Sequence, residues 1–336
     1  MLKASVIVST YKRPHRLRGV LAGLKIQSLS PDVFEVIVCD TYNGDETKAL
    51  VGAFVKAVPG ARYIDVANNS PAAKRNAGIL NASCDIVILL DDDVVPSVSC
   101  IEEHLYIHAS AAARVVACGQ VRYPKELVRA SNYCRFRDSR HPGPTKRQFV
   151  DKQRMAPHMM VTMNCSFRRS VVAEKAGYLS EEFAHYGGED IEFGYRLKEN
   201  GIGLIYSERA LAYHFDDGGS IRRYMAKLYC ASRYSAPIVL RLAPEFGADT
   251  KYRWIEQSAV SSSWLTKATA RLAQISTPPV AVRSVRAVAE LCDSTSFLYC
   301  PLMYWYLSIA AAAKGAGDRL LPNVPTWLGT SDDVLD

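Results

Sequence analysis

In Cys84-Asp85-Ile86-Val87-Ile88-Leu89-Leu90-Asp91-Asp92-Asp93-Val94-Val95-Pro96, five consecutive apolar residues run into three adjacent carboxylates. A strand without polar alternation is buried on both faces, the habit of a parallel sheet covered by helices. Charge gathered at the C-terminal tip of such a strand lies where open α/β sheets place their ligands. Three neighbouring aspartates repel one another. A hard divalent cation such as Mg²⁺ or Mn²⁺ relieves that repulsion through oxygen ligands and can bridge substrate phosphates. The alternative, that the run caps a following helix, uses one aspartate and leaves two repelling.

The segments on either side extend the pattern. Residues 4–9, 35–39, 62–66, 85–90 and 115–121 read as strands, and 16–27, 46–58, 72–81 and 101–112 as the helices between them. Such alternation gives an α/β nucleotide-binding domain with a mostly parallel central sheet covered by helices. From 122 to 158 the pattern dissolves into a stretch rich in Arg, Lys and Pro, including Arg135, Arg137, Arg140, Pro142, Pro144, Lys146 and Arg147, which reads as a flexible or acceptor-facing loop. A strand is expected at 161–167, a helix at 169–176 and another at 190–200 that Gly201 stops. Two short strands, 203–206 and 210–214, follow. The domain is placed at 1–219, and the Ala-rich remainder, 220–336, reads as a helical region for acceptor binding, oligomerisation or membrane-surface contact. Its aromatic residues include Tyr224, Tyr229, Trp254, Trp264, Tyr304 and Tyr306. Residues 297–313 are mainly apolar, but Pro301 interrupts them and the run is short for a span, so a buried or interfacial helix is expected.

A hydrophobic content of 49% supports a folded core and excludes disorder as the main state. The net charge of +7 comes without a long basic block, so no nucleic-acid partner is expected. Nine cysteines, an odd number with no C-x-x-C pair, read as reduced thiols of a cytoplasmic protein. The apolar run at 5–9 starts too early for a secretory signal.

Further residues carry chemistry. Gly187-Gly188-Glu189-Asp190 bends the chain and delivers two acids to a helix N-terminus, where the dipole keeps them ionised and one can take a proton from a hydroxyl. The bland reading is a helix start with its usual early acids. His214 closes a short strand as a structural residue or a metal ligand. Asp40 ends the apolar run 36–39 as a turn former or an acceptor for a base N–H or ribose hydroxyl. Lys74, Arg75 and Asn76 open a helix as neighbours for a diphosphate.

Taken in order, Ser5-Val6-Ile7-Val8-Ser9-Thr10-Tyr11-Lys12-Arg13, Val38-Cys39-Asp40, Lys74-Arg75-Asn76-Ala77-Gly78, Leu89-Leu90-Asp91-Asp92-Asp93, Asn164-Cys165-Ser166-Phe167-Arg168-Arg169, Gly187-Gly188-Glu189-Asp190 and His214 resemble the family 2 glycosyltransferases. The resemblance covers about residues 1–216. It implies a GT-A fold, a nucleoside-diphosphate sugar donor (UDP-, dTDP- or GDP-linked) and an inverting single displacement. In that scheme Thr10, Tyr11, Arg13, Asp40, Lys74, Arg75, Asn76, Asp91, Asp92, Asn164 and Gly188 serve the donor. Asp93 and His214, with Asp91, hold Mn²⁺ or Mg²⁺. Asp190 is the general base, and Glu189 positions hydroxyls. Many members carry a second acid and Gly-Ser after the first strand-end aspartate, whereas this chain reads Asp40-Thr41-Tyr42-Asn43-Gly44-Asp45, which leaves the nucleoside open. The acceptor, whether small molecule, polysaccharide or lipid-linked sugar, is open too, as is a homo-oligomer or peripheral membrane contact at the inner face of the membrane through the C-terminal helices. Two other readings are a catalytically silent sugar-nucleotide-binding scaffold and a sugar-1-phosphate nucleotidyltransferase. The latter lacks its glycine-rich loop, since Ser9-Thr10-Tyr11-Lys12-Arg13-Pro14 follows Val8.

Overall fold

The computed structural model describes residues 3–41, 44–110, 114–141, 150–216, 219–250 and 276–319. Tyr42, Asn43, Pro142, Pro144, Lys146, Arg147, Trp254 and Trp264 lie outside the described residues. The chain divides into two compact units. The first comprises Met1–Pro124, His141–Glu181 and Phe193–Asp216, and the second Lys125–Arg140, Glu182–Glu192 and Asp217–Asp336.

The first unit is built on strands β1 (Ala4–Thr10), β2 (Phe34–Asp40), β3 (Ala61–Asp65), β4 (Ile86–Asp91), β5 (Val94–Pro96), β6 (Val115–Arg122), β7 (Arg154–Met155), β8 (Asn164–Arg168) and β9 (Gly203–His214). They form one sheet in the order β3-β2-β1-β4-β8-β6-β9-β5, with β7 also on β9. β1 to β4 run parallel. β8 is antiparallel to both β4 and β6, and β6 pairs parallel with β9. Helices α1 (Pro14–Lys25), α2 (Asp45–Phe54), α3 (Pro71–Leu80) and α4 (Cys100–Ser110) stand where the alternation put them.

Period-2 geometry explains why these strands carry unbroken apolar runs. Val6, Val8, Val36, Val38, Ile88 and Leu90 face one way, against Leu17, Val20 and Leu24 of α1 and Val51 of α2. Ile7, Ile37, Val87 and Leu89 face the other way, against Ala72 and Ile79 of α3. Each such buried aliphatic side chain contributes about 2 kcal/mol, so both faces must be apolar. Gly78 is needed where α3 meets β1, because a Cβ there would stand 2.4 Å from Ile7 Cγ2.

The structure corrects the sequence reading in several places. The alternative in which the aspartate run caps a helix falls: Asp91 ends β4, Asp92 and Asp93 form a turn, and Val94 opens β5 on β9. The two strands expected at 203–206 and 210–214 are one strand, β9, bulged where the register with β6 jumps from Gly119↔Ser207 to Val121↔Ala212. Ser207-Glu208-Arg209 imitates a turn in sequence because the bulge turns Glu208 and Arg209 out to solvent, while the buried Ser207 Oγ accepts from Ala210 N. Within 122–158, read as a loop, lie β7 and two short helices, α5 (Lys125–Ala130) and α6 (Asn132–Asp138). Ser131 Oγ caps α6 by accepting from Cys134 N, and Tyr133 and Phe136 are buried, an apolar signal hidden in sequence by Arg135 between them and Arg137 after them.

The second unit also holds α9 (Ile221–Cys230), a π turn at Ala231–Ser235, and the helices Ala236–Leu242, Pro279–Leu291 and Pro301–Gly317. The last packs against α9, with Tyr229, Tyr304 and Leu307 buried. Helix α7 (Arg169–Lys175) lies in the first unit, and the chain passes from the second unit to the first within α8 (Glu189–Glu199), between Glu192 and Phe193. Gly201, at φ 70°, ends α8. All nine cysteines are free thiols. Among the described residues no helix is long and apolar enough to cross a membrane.

Candidate active site

Register brings the strand tips of the first unit together. Thr10 pairs with Asp40 across β1 and β2, and Ser9 pairs with Asp91 across β1 and β4. Parallel strands therefore end level, and the loops leaving them share one rim.

Each aspartate of the run faces its own arginine. Arg75 Nη2 donates to Asp91 Oδ1 at 2.7 Å. Arg13 Nη1 lies 3.8 Å from Asp92 Oδ1, and Thr10 Oγ1 donates to Asp92 Oδ2 at 2.7 Å. Arg16 Nη1 donates to Asp93 Oδ2 at 2.9 Å. Three adjacent carboxylates demand positive charge, and here three guanidiniums supply it. Arg16 escaped the sequence reading because nothing links the first turn of α1 to position 93 until β1 and β4 pair.

His214 Nε2 lies 3.6 Å from Asp93 Oδ1, across the β5–β9 pairing that matches Val94 with His214. Its other nitrogen, Nδ1, meets His141 Nε2 at 3.1 Å, and the Tyr123 ring lies 5.1 Å from the His214 ring and stacks on His141 at 5.5 Å. Sequence reasoning missed His141 and Tyr123; residue 141 fell in the stretch read as a loop. Burial alone would raise Asp93, but His214, Arg16 and Arg13 outweigh it and hold that carboxyl well below the usual range. Burial, then the Asp93 charge, pushes Asp92 up.

Lys74 and Arg75 are both buried at the start of α3, where Ser70 Oγ caps the helix by accepting from Ala73 N at 3.0 Å. Burial pushes Lys74 down to about 8, against the pull of Asp40 and Asp92. Its ammonium lies 5.1 Å from the centre of the Tyr11 ring. Asp40 is fully buried at the tip of β2. Thus Thr10, Arg13, Lys74, Arg75, Asp91, Asp92, Asp93 and His214 meet in one region of the first unit, with Asp40 paired to Thr10.

Two residues from the motif set serve the scaffold. Asn76 Nδ2 donates to Leu179 O and Glu181 Oε1, and its Oδ1 accepts from Leu179 N. Asn164 is fully buried, and its Nδ2 donates to Gln120 O and Ala210 O. Its Oδ1 must then accept, which directs a relay: His104 Nε2 donates to Asn164 Oδ1, Ser166 Oγ to His104 Nδ1, and His108 Nε2 to Ser166 Oγ, each at 2.9 Å. Both amides are spent inside the fold.

In the second unit Gly187 and Gly188 have φ of 78° and 100°, the region that favours glycine. A Cβ on Gly188 would stand 2.9 Å from Phe183 and 3.1 Å from both Ser235 and Val239. This double bend starts α8 with Glu189 and Asp190 in its first turn, both half-buried, and Asp190 Oδ1 accepts from Ile191 N at 2.9 Å. In the same unit His185 stacks on Tyr234 at 4.1 Å, and Tyr186 is 46% exposed with the Lys227 ammonium 5.2 Å from its ring.

The residues present suit a hard divalent ion in donor chemistry. Among the described residues no group of three or more His, Cys, Asp or Glu side chains is arranged to hold one. Asp93 and His214 nevertheless converge, and Mg²⁺-like ions are often held by one or two protein groups plus substrate phosphates.

Residues 5–174, just over half of the chain, match the family described as glycosyl transferase family 2. The validoxylamine A glucosyltransferase of Streptomyces hygroscopicus subsp. limoneus is 29% identical over 228 residues, which cover 61% of this chain and 50% of that protein. The hyaluronan synthase of Pasteurella multocida is 26% identical over 248 residues, 64% of this chain and 25% of that protein. The chain spans half or less of the length of these two relatives. Among solved structures, the mannosyltransferase PcManGT from Pyrobaculum calidifontis in complex with GDP-Man and Mn²⁺ aligns with TM-score 0.58 and 16% identity over 95% of this chain and 87% of that one. S. aureus TarS 1-349 in complex with UDP aligns with TM-score 0.54 and 14% identity over 94% and 91%. At these identities the structural likeness speaks for the fold, which is GT-A.

Proposed function

The chain belongs to glycosyl transferase family 2, and we propose that it moves a sugar from a nucleoside-diphosphate donor to an acceptor hydroxyl with inversion at the anomeric carbon. The observation that carries this reading is the convergence of Asp91, Asp92 and Asp93 with Lys74, Arg75 and His214 at the strand tips. The solved relatives named above hold GDP-Man with Mn²⁺, or UDP, which supports a sugar-nucleotide donor.

Each residue has a physical task in this reading. Asp40 accepts a hydrogen bond from the base or ribose. Lys74 and Arg75 meet the diphosphate, and Arg75 can do so by turning from Asp91. Asp93 and His214 would hold Mn²⁺ or Mg²⁺, which when bound supplies positive charge to the leaving diphosphate. Asp190 accepts the proton of the acceptor hydroxyl as its oxygen bonds to the anomeric carbon, while the bond to the diphosphate breaks and the nucleoside diphosphate departs with its electron pair. An amide at 190 could not take that proton. Glu189 orients hydroxyls, and the His185–Tyr234 stack with Tyr186 offers ring faces on which a sugar acceptor packs.

Calorimetric titration with UDP, dTDP and GDP, each with and without Mn²⁺, tests the donor half. Binding of one nucleotide that strengthens with metal is expected, and no binding of any overturns the reading. A mass-spectrometric screen of the three sugar-nucleotide classes against small-molecule, polysaccharide and lipid-linked acceptors then identifies the second substrate.

A further inference from the structure

Half of the large apolar side chains that stand exposed among the described residues fall between 280 and 309, in the second unit. On the helix Pro301–Gly317, Leu302, Trp305 and Ile309 are 75%, 41% and 42% exposed, and their i, i+3, i+7 spacing makes them one stripe. Phe297, just before that helix, is 84% exposed. The helix already buries Tyr304, Leu307 and Ala311 on another side, so folding of the unit does not require the stripe to be apolar.

The segment that carries the stripe holds no acid of its own, and arginines border its rings. No acid occurs from 294 to 317. The exposed Arg140 holds its guanidinium 4.2 Å from the centre of the Trp305 ring, and the exposed Arg135 holds its own 4.3 Å from that of Tyr299. A tryptophan and aliphatic residues bordered by arginines form the composition that settles in the headgroup layer of a bilayer, rings and methyls down, guanidiniums on the phosphates. A twofold contact of this face with the same face of a second copy would instead set these arginines against their own kind.

We propose that this face of the second unit docks on an anionic membrane surface, as a peripheral contact in which Leu302, Trp305, Ile309 and Phe297 enter the interface and Arg135 and Arg140 meet lipid phosphates. This goes beyond the sugar-transfer reading and stands or falls independently of it.

The test is flotation of the full chain with vesicles of phosphatidylcholine alone or mixed with phosphatidylglycerol, at low and high salt. Flotation with the anionic vesicles that weakens with salt is expected. Leu302→Ser combined with Ile309→Ser should reduce it by about tenfold or more, because each exposed aliphatic contributes apolar burial to interfacial binding. Arg140→Gln should weaken only the anionic case. Circular dichroism and nucleotide binding of the variants should match the parent chain, and if the double variant is unfolded, quenching by brominated lipid of the tryptophan emission that Trp305→Phe removes replaces it. Absence of flotation on anionic vesicles overturns the proposal. So does equal flotation on neutral ones, or a concentration-dependent dimer that the double variant abolishes.

Discussion

His214 turns Nε2 toward Asp93 at 3.6 Å while its Nδ1 meets His141 Nε2 at 3.1 Å. With the proton on Nε2, His214 faces a carboxylate and accepts from His141. With the proton on Nδ1, it donates to His141 and bares Nε2 for a metal. His141 therefore serves both tautomers, as partners behind a metal-binding histidine do. His141→Ala should lower Mn²⁺-dependent nucleotide affinity by about 10- to 100-fold and leave metal-free nucleotide binding unchanged. Calorimetry with and without Mn²⁺ reads this directly, and an equal loss in both titrations would assign His141 to folding alone.

Asp190→Asn keeps the shape of the α8 start but removes the carboxylate proposed to take the acceptor proton. Nucleoside diphosphate affinity should stay within about twofold, and turnover should fall by about 10² to 10⁴. Retained turnover in a steady-state assay would take the role of base away from Asp190.

Gly188→Ala forces a side chain onto φ 100° and toward Phe183 at 2.9 Å. The strain should cost about 1–3 kcal/mol of stability, lowering the melting temperature, whereas Gly52→Ala, where a Cβ meets nothing within 4 Å, should be near neutral. Equal melting temperatures for the two variants would contradict the geometry.

Burial pushes His104 and His108 down to about 4. His104 is locked neutral in the relay, where Nε2 donates to Asn164 and Nδ1 accepts from Ser166, and His108, which donates to Ser166, is held neutral by its burial and by the nearby His104 and Arg168. The unfolded chain takes up protons near the ordinary value of 6.5 while the folded chain refuses them until about 4. Stability is therefore complete above 6.5 and is lost as pH falls from there toward 4, by about 1.4 kcal/mol per pH unit for each histidine. Melting temperatures measured from about pH 8 to about pH 5 should fall on the acid side. A flat profile would mean that the relay accepts a proton in the folded state.

Asn164→Leu should cost about 3 kcal/mol or more, because Gln120 O, Ala210 O and His104 Nε2 each lose a partner in a region without solvent. Chemical denaturation measures it. A loss confined to nucleotide affinity, with stability unchanged, would return Asn164 to the donor site.

The apolar runs of β1, β2 and β4 and the aspartates behind Leu90 announced a buried parallel sheet with charge at its tips, since strand burial is written in local composition. The glycine pair at 187–188 likewise announced a bend, because only glycine takes those backbone angles cheaply. What stayed hidden depends on pairing between distant segments. Arg16 and Asp93 meet because β1 lies beside β4, and His141 and His214 are 73 residues apart in sequence. Asn76 and Asn164 have the amides of ligand-binding residues, yet each is spent on a neighbour supplied from far along the chain. Composition and periodicity act over one or two turns, so they gave the layers and the acids. Which arginine neutralises which acid, and which polar groups remain for a ligand, follow from long-range packing, where a buried amide or charge takes whatever partner the fold brings within hydrogen-bond reach.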